Sequence, residues 1–257
     1  MSIDLQQVAI NPTGVTPLYQ SDAHSIYWVG VAEESAFRCN VYLIVDGDEV
    51  ILVDPGSRAH FAQVKERISS VIDPMKVTGA IVCHQDPDVA ASLLDWLALN
   101  PAIKVYTTPR THVLLPYYDI EYDYVDVEEN SEVTLPSGAV LRFIASPFLH
   151  FPGAFTTYDV ATQALFSGDI WAALDSDWSL VVKENFDSHR DSMDLFHMDY
   201  MASNVACRGY VKQLDGLEID AILPQHGSII DSKFVKEAVD YLENVRCGTD
   251  LVYPEFS

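Results

Sequence analysis

Basic residues are scarce in this 257-residue chain. Fifteen Lys and Arg stand against 38 Asp and Glu, a formal net charge of −23. So acidic a surface repels nucleic acid and anionic membrane, which excludes both as expected partners. The charge favours solubility and would suit a cationic partner, but no residue pattern identifies one. Cysteine is scarce too. Cys39, Cys83, Cys207 and Cys247 are too widely spaced for a CxxC pair, so a zinc ribbon or thioredoxin motif is excluded. Cys83, inside the apolar run IVC, reads as a small buried hydrophobe. No apolar run approaches the ~18 residues of a membrane span, and MSIDLQQVAI lacks the basic-then-apolar pattern of a signal peptide. A reducing cytoplasm is the expected location. Internal repeats, low-complexity segments and Gly/Ser linkers are also missing. A single domain over residues 1–257 is therefore expected, long enough to bury a core without staples.

What is present is an interleaving of strand-like and helix-like segments. SIYWVGV (25–31), VYLIV (41–45) and EVILVD (49–54) read as strands, with Gly47-Asp48 as a hairpin turn. Phe61, Val64, Ile68, Val71 and Ile72 share one face at helical spacing. GAIVC (79–83) is a buried-strand run, after which Asp88 is placed to cap a helix through ASLLDWLAL. KVYTT (104–108) is a strand, and Thr108-Pro109 opens a short helix. AVLRFIA (139–145), FTTYDV (155–160) and ALFSG (164–168) follow as strands. Residues 189–205 read as a helix and AILPQHG (221–227) as a strand with its loop. A last helix begins at Ser232 and is closed by Gly248. The pattern predicts an α/β sandwich, two sheets inside and helices outside. The acidic, aromatic stretch YYDIEYDYVDVEEN (117–130) fits neither period. It reads as a surface loop placed to cover a site, with Tyr118, Tyr122 and Tyr124 as pocket or gate candidates.

Four strand ends each deliver a histidine or an aspartate. After GAIVC come His84, Asp86 and Asp88. After AVLRFIA comes His150, after ALFSG comes Asp169, and after AILP comes His226. Sites in α/β folds gather at such strand ends because the loops converge there. Imidazole and carboxylate are the ligands of first-row metals, and three of each are enough for two ions. Asp169 is the candidate bridge, one oxygen to each ion. The alternation His84-x-Asp86-x-Asp88, in an extended segment, points all three side chains one way. Each residue also has a plainer reading: Asp88 as a helix cap, Asp86 before Pro87 and Asp169 after Gly168 as turn residues, His150 as structural, His226 as a loop histidine beside Gly227. Their joint placement at strand ends favours one site. His24, His60, His112, His189 and His197 follow no apolar strand and read as surface or structural.

With these residues in view, the chain resembles the metallo-β-lactamase superfamily. VYLIVDGDEVILVDPG looks like its first hairpin, HQDPD stands where that superfamily carries HxHxDH, and His150, Ser167-Gly168-Asp169 and Pro224-Gln225-His226-Gly227 match its later ligand motifs in order. The flavodiiron proteins are a closer likeness. Their second motif position is a carboxylate, here Asp86, and they share the 18 residues between His150 and Asp169 and an opening strand like SIYWVGVAEE. The resemblance implies an αββα sandwich. It implies one metal held by His84, Asp86 and His150, a second held by Asp88 and His226, and Asp169 bridging. Two features depart from it. Val89 replaces the last histidine of the motif, a vacated ligand position that solvent, substrate or a tyrosine from 117–124 would fill. No flavodoxin domain or FMN phosphate loop is visible. The combination resembles stand-alone oxygen-binding diiron proteins.

Three carboxylates shift preference toward iron or manganese, and iron is favoured, with zinc or manganese as the alternatives. A diferrous pair holds two electrons, whereas reducing O2 to water takes four. Without FMN to refill the site, binding O2 and holding it at the peroxide level is expected before steady turnover. The leading expectation is therefore a diiron O2 sensor or carrier with a signalling partner. Alternatives are an O2 or NO reductase fed by a separate redox protein, a dinuclear hydrolase, and a scaffold with a decayed site. A homodimer is the default assembly.

Overall fold

The computed structural model describes residues 3–31, 37–182 and 185–256. Among the described residues, thirteen strands form two sheets. The first sheet contains β1 (Thr16–Gln20), β2 (His24–Trp28), β3 (Tyr42–Asp46), β4 (Glu49–Val53), β5 (Gly79–Ile81), β6 (Lys104–Thr107) and β7 (Asp123–Asp126), in that spatial order. The second contains β8 (Glu132–Thr134), β9 (Val140–Ala145), β10 (Phe155–Asp159), β11 (Ala164–Gly168), β12 (Ala221–Pro224) and β13 (Ile230–Asp231), in the order β13-β12-β11-β10-β9-β8. The helices are α1 (Phe61–Ser69), α2 (Pro87–Ala90), α3 (Leu93–Leu99), α4 (Pro109–His112), α5 (Phe186–Tyr200), α6 (Asn204–Val211), α7 (Ser232–Asn244) and α8 (Thr249–Val252). Among the described residues, no helix is long and apolar enough to cross a membrane.

The layering follows from the two-residue period of the strands. In β3, Tyr42 and Ile44 face inward and join Ile51 and Val53 of β4 in a core shared with Leu141, Phe143, Phe155, Phe166 and Leu223 of the second sheet. Leu43, Val50 and Leu52 alternate with them and pack outward against Val64 and Ile68 of α1 and Trp96 of α3. On the far side, Leu165 and Ile222 pack against Phe196, Ala238 and Leu242 of α5 and α7. Each sheet is buried on both faces, which is why its strands read as nearly continuous apolar runs. The expected αββα sandwich is the architecture found.

Several local expectations are corrected. Helix α1 ends at Ser69, so Val71 and Ile72 lie beyond it. The helix expected over 189–205 is two helices. Asn185 caps α5 and Ser203 caps α6, each side-chain oxygen accepting from a backbone N–H of the first turn. Gly248 does not close the last long helix. Helix α7 ends at Asn244, and Gly248 (φ +49°) precedes the short α8. The stretch 117–130 is not all loop, because Asp123–Asp126 form the edge strand β7, paired in parallel with β6. Residues 32–34 of SIYWVGVAEE lie outside the described residues.

His24 ties the two sheets together. It is 5 % exposed, with Nδ1 2.8 Å from Asp46 Oδ2 on β3 and Nε2 2.7 Å from Asp159 Oδ2 on β10. Burial alone would lower its pKa, but the hydrogen bonds and charges of Asp159 and Asp46 outweigh that and raise it. A raised value means stabilisation that is complete below the ordinary histidine value of 6.5 and lost as pH rises through the folded-state value. His24→Ala leaves two buried carboxylates without their cation and should cost ~3–5 kcal/mol of stability near pH 6. Urea unfolding measures this. A cost under ~1 kcal/mol would show that the tie carries little.

Candidate metal centre

Strand direction brings the candidate residues to one place. In the second sheet β9 and β11 are both antiparallel to β10, and β12 is parallel to β11. Strands β9, β11 and β12 therefore run the same way, and their C-terminal ends, which lead to His150, Asp169 and His226, open on one edge of the sandwich. Two tight backbone positions shape the approach. Gly168 (φ +56°) precedes Asp169, and a Cβ there would lie 3.0 Å from Cys83 Sγ. Gly227 (φ +84°) follows His226, and a Cβ there would lie 2.8 Å from the Ala173 Cβ. Glycine meets both demands at once. The first sheet adds His84, three residues after β5.

The segment after His84 is not the extended run that the alternation suggested. Asp86 is extended (φ −64°, ψ 149°) and is itself the N-cap of α2, with Pro87 at the first helical position and Asp88 inside the first turn. Asp88 is therefore not the cap. The Asp86 side chain makes no capping hydrogen bond. Its Oδ2 lies instead 3.3 Å from His150 Nε2 and 3.6 Å from His84 Nε2.

Asp169 stands between two clusters. Its Oδ2 is 2.9 Å from His150 Nε2 and 3.4 Å from His84 Nε2. Its Oδ1 points the other way, 3.7 Å from His226 Nε2, and that buried oxygen has no hydrogen-bond partner. In the second cluster His226 Nε2 lies 3.0 Å from Asp88 Oδ2, and Cys39 Sγ lies 3.9 Å from the same oxygen. Donors ~2.0–2.3 Å from a shared ion are ~3–4 Å apart when they subtend roughly 90–120°. The measured spacings fall in or at the edge of that range, and an orphaned carboxylate oxygen aimed at an imidazole is what a missing cation leaves behind. The donor set fits two metal ions.

Backbone and core groups orient the imidazoles. His226 Nδ1 donates to the Arg38 carbonyl (2.9 Å), which turns Nε2 to the cluster. His84 Nδ1 lies 3.0 Å from Cys83 Sγ. Cys83 is buried in the apolar core as expected, with its sulfur turned toward His84. Without cations the clusters are strongly coupled acid–base groups. Burial would lower the histidine pKa values, but the facing carboxylates dominate. His150 is raised to about 9 and His226 to about 10, and His84 is raised well above its ordinary value. Hydrogen bonds from His150 and His84 hold Asp86 low, and Asp169 is held low by the same imidazoles despite its burial.

Aromatic rings wall the site. Phe37 stacks on His226 with centroids 3.7 Å apart. Phe196 stacks on Tyr200 at 4.5 Å, and both present edges to His150 at 6.1 and 5.9 Å. Sequence reasoning missed this wall. The four-residue spacing of Phe196 and Tyr200 on one helix was the available signal. It also missed Cys39, for which no local motif exists. Of the gate candidates, Tyr118 donates to the Gln85 carbonyl (2.7 Å), and its pKa is raised by burial and then by Asp86 and Asp88, so it adjoins the site. Tyr122 and Tyr124 instead engage His112, one by a 2.7 Å contact to Nδ1 and the other by stacking at 3.9 Å. Val89 is fully buried in the apolar cluster beneath the helices. His189 and His197 are buried, and burial lowers both to about 4, as neutral structural histidines.

The comparisons with known proteins agree with this geometry. The family described as "ODP family beta lactamase" matches residues 37–227. A solved structure of a peroxy diiron species of the chemotaxis sensor ODP is 34% identical. It superposes with a TM-score of 0.83 over 93% of this chain and 99% of that one. The diflavin flavoprotein A 1 of Synechocystis sp. is 32% identical over 66% of this chain and 30% of its own length. The flavo-diiron protein FprA2 of Clostridium acetobutylicum is 27% identical over 74% of this chain and 49% of its own. The chain thus spans between about a third and a half of the length of these curated relatives.

Three predictions follow from the geometry. Metal loading of metal-free protein near pH 7 should release about three protons per chain from His84, His150 and His226, since a coordinating imidazole must be neutral. A pH indicator in weak buffer reads this directly. In metal-free protein the raised histidine values stabilise fully below about 6.5 and cease to as pH passes about 9 and then 10. Its Tm should therefore fall more between pH 7 and about 10 than that of loaded protein. Asp169→Ala removes an oxygen from both clusters and should cut bound metal from about two to below one per chain. Unchanged metal content would mean that Asp169 does not bridge.

Proposed function

The chain belongs to the ODP family of β-lactamase-type domains, and from that premise we propose that it is a non-haem diiron protein that binds dioxygen as a sensor or carrier. The observation that carries the reading is Asp169, a buried carboxylate with one oxygen in each of two donor clusters. Its support from relatives is the 34% identical chemotaxis sensor, described as a peroxy diiron species, which this chain matches over nearly its whole length. The 257 residues act as one unit, in a reducing cytoplasm, and report to a signalling protein.

The roles divide by position. His84, Asp86 and His150 would hold the first iron and Asp88 and His226 the second, with an oxygen of Asp169 available to each. Two ferrous ions there supply the electrons and the open coordination that O2 requires. The remaining work belongs to the chain. Phe37 lies on His226 and Phe196 and Tyr200 lie against His150, which places hydrocarbon beside the imidazoles and suits a small apolar gas. The Arg38 carbonyl holds the proton of His226 at Nδ1 so that Nε2 stays a donor. Tyr118 pins the backbone carbonyl between His84 and Asp86, which fixes the first cluster's geometry.

A second reading, an O2 or NO reductase fed by an external electron donor, is favoured by the flavo-diiron relative. One experiment separates the two. Protein loaded with iron without air is analysed for metal, exposed once to O2, and then supplied with an artificial donor. About two irons per chain, a lasting oxygen-dependent visible band and no sustained gas consumption are expected. Sustained consumption would establish the reductase instead. Zinc in both positions with a silent spectrum would end both diiron readings.

A further inference from the structure

The two donor clusters are unequal. The first has the Nε2 atoms of His84 and His150 with carboxylate oxygens of Asp86 and Asp169. The second has a single imidazole, His226, with Asp88 and the far oxygen of Asp169. Val89, beside Asp88, contributes only buried hydrocarbon. A donor is short on this side, and Cys39 stands next to the gap.

Backbone pairing holds Cys39 there. Cys39 and His226 form an isolated antiparallel bridge. The Asn40 N–H donates to the Gln225 carbonyl (2.6 Å), and His226 Nδ1 donates to the Arg38 carbonyl. Residues directly opposite across an antiparallel pair project to the same face, so the backbone itself sends the Cys39 and His226 side chains the same way. The Cys39 sulfur, an Asp88 oxygen and a His226 nitrogen all lie within 4.8 Å of one another. An independent observation marks the same point. The unpartnered Oδ1 of Asp169, a residue only 4 % exposed, lies 3.7 Å from His226 Nε2 on that side.

We propose that the Cys39 thiolate is the fourth protein ligand of the second metal ion, with His226, Asp88 and Asp169. This rests on the dinuclear reading given above. On binding, the S–H bond breaks, a sulfur–metal bond forms and the proton passes to solvent, with no change of oxidation state. A sulfur ~2.3 Å and an oxygen ~2.0–2.2 Å from one ion are 3.9 Å apart at an angle somewhat wider than tetrahedral, so ligation needs no rearrangement of the strands. The other cysteines do not compete for the position. Cys83 faces His84, while Cys207 and Cys247 are buried 3.9 Å from each other in the apolar layer under α5–α7. A thiolate here makes the second site softer than the first. The pair should therefore discriminate against manganese and magnesium on that side.

The test uses the full chain loaded with cobalt(II), whose bond to sulfur gives a near-ultraviolet charge-transfer band that nitrogen and oxygen ligands do not. Wild type should bind two cobalts and show the band. Cys39→Ser should lose it and bind the second cobalt at least tenfold more weakly. Cys39→His should keep both metals without the band. In wild type alone, iodoacetamide should modify Cys39 in metal-free protein, since the other three cysteines are buried, and two metals should protect it. Two cobalts bound with no sulfur band, a band that persists in Cys39→Ser, or undiminished alkylation of the loaded protein would each overturn the assignment and leave the dinuclear site standing. A wild type that binds fewer than two cobalts would overturn both.

Discussion

The centre depends on where Asp169 puts its two oxygens. A carboxylate that is 4 % exposed needs a compensating partner for each oxygen, because burial of an unpaired charge is costly. One oxygen meets two imidazoles and the other meets only the distant His226 ring. In the absence of metal, protonated histidines supply the missing positive charge and hold Asp169 ionised. With metal, the ions replace those protons. The same array of groups that would ligate cations therefore forms an ion-pair network in their absence, and exchange of protons for cations would link the two states.

The fold serves that arrangement by direction as much as by packing. Three strands of the second sheet run the same way and release His150, Asp169 and His226 at one edge. The first sheet contributes His84 after β5, Asp86 and Asp88 on the start of α2, and Cys39 through its bridge to His226. The two sheets must hold a fixed relation for these parts to meet. The shared apolar core sets their distance, and the buried Asp46–His24–Asp159 link, reaching from β3 to β10, resists sliding between them. Aromatic side chains from α5 and from Phe37 complete the enclosure on the helical side.

Much of this was legible in one dimension because strand ends and ligand types coincide in sequence. His84, His150, Asp169 and His226 each follow an apolar run, and apolar runs announce strands buried on both faces. The local errors have local causes. Pro87 starts a helix two residues earlier than expected, so Asp86 takes the cap position and Asp88 the first turn. Ser203 restarts a helix within a stretch whose polarity looks continuous. The edge strand at Asp123–Asp126 is too polar to carry a strand signature, because only one side of it is paired.

By itself the sequence pointed to the sandwich and to histidines and aspartates gathered at strand ends, since both are written in periodicity or in residues a few positions apart, whereas Val89 stands out only against the flavodiiron motif that the chain resembles. What stands beside Asp88 and His226 was decided only in three dimensions. Cys39 lies 187 positions from His226 in numbering, carries no motif of its own, and reaches the second cluster through a backbone bridge between distant segments. The same holds for the Phe37–His226 stack and for the His24 link between sheets. Spacing along the chain records only which side chains share a face of one element. Which elements face each other is set by the packing of the whole core, and no short stretch of residues encodes it.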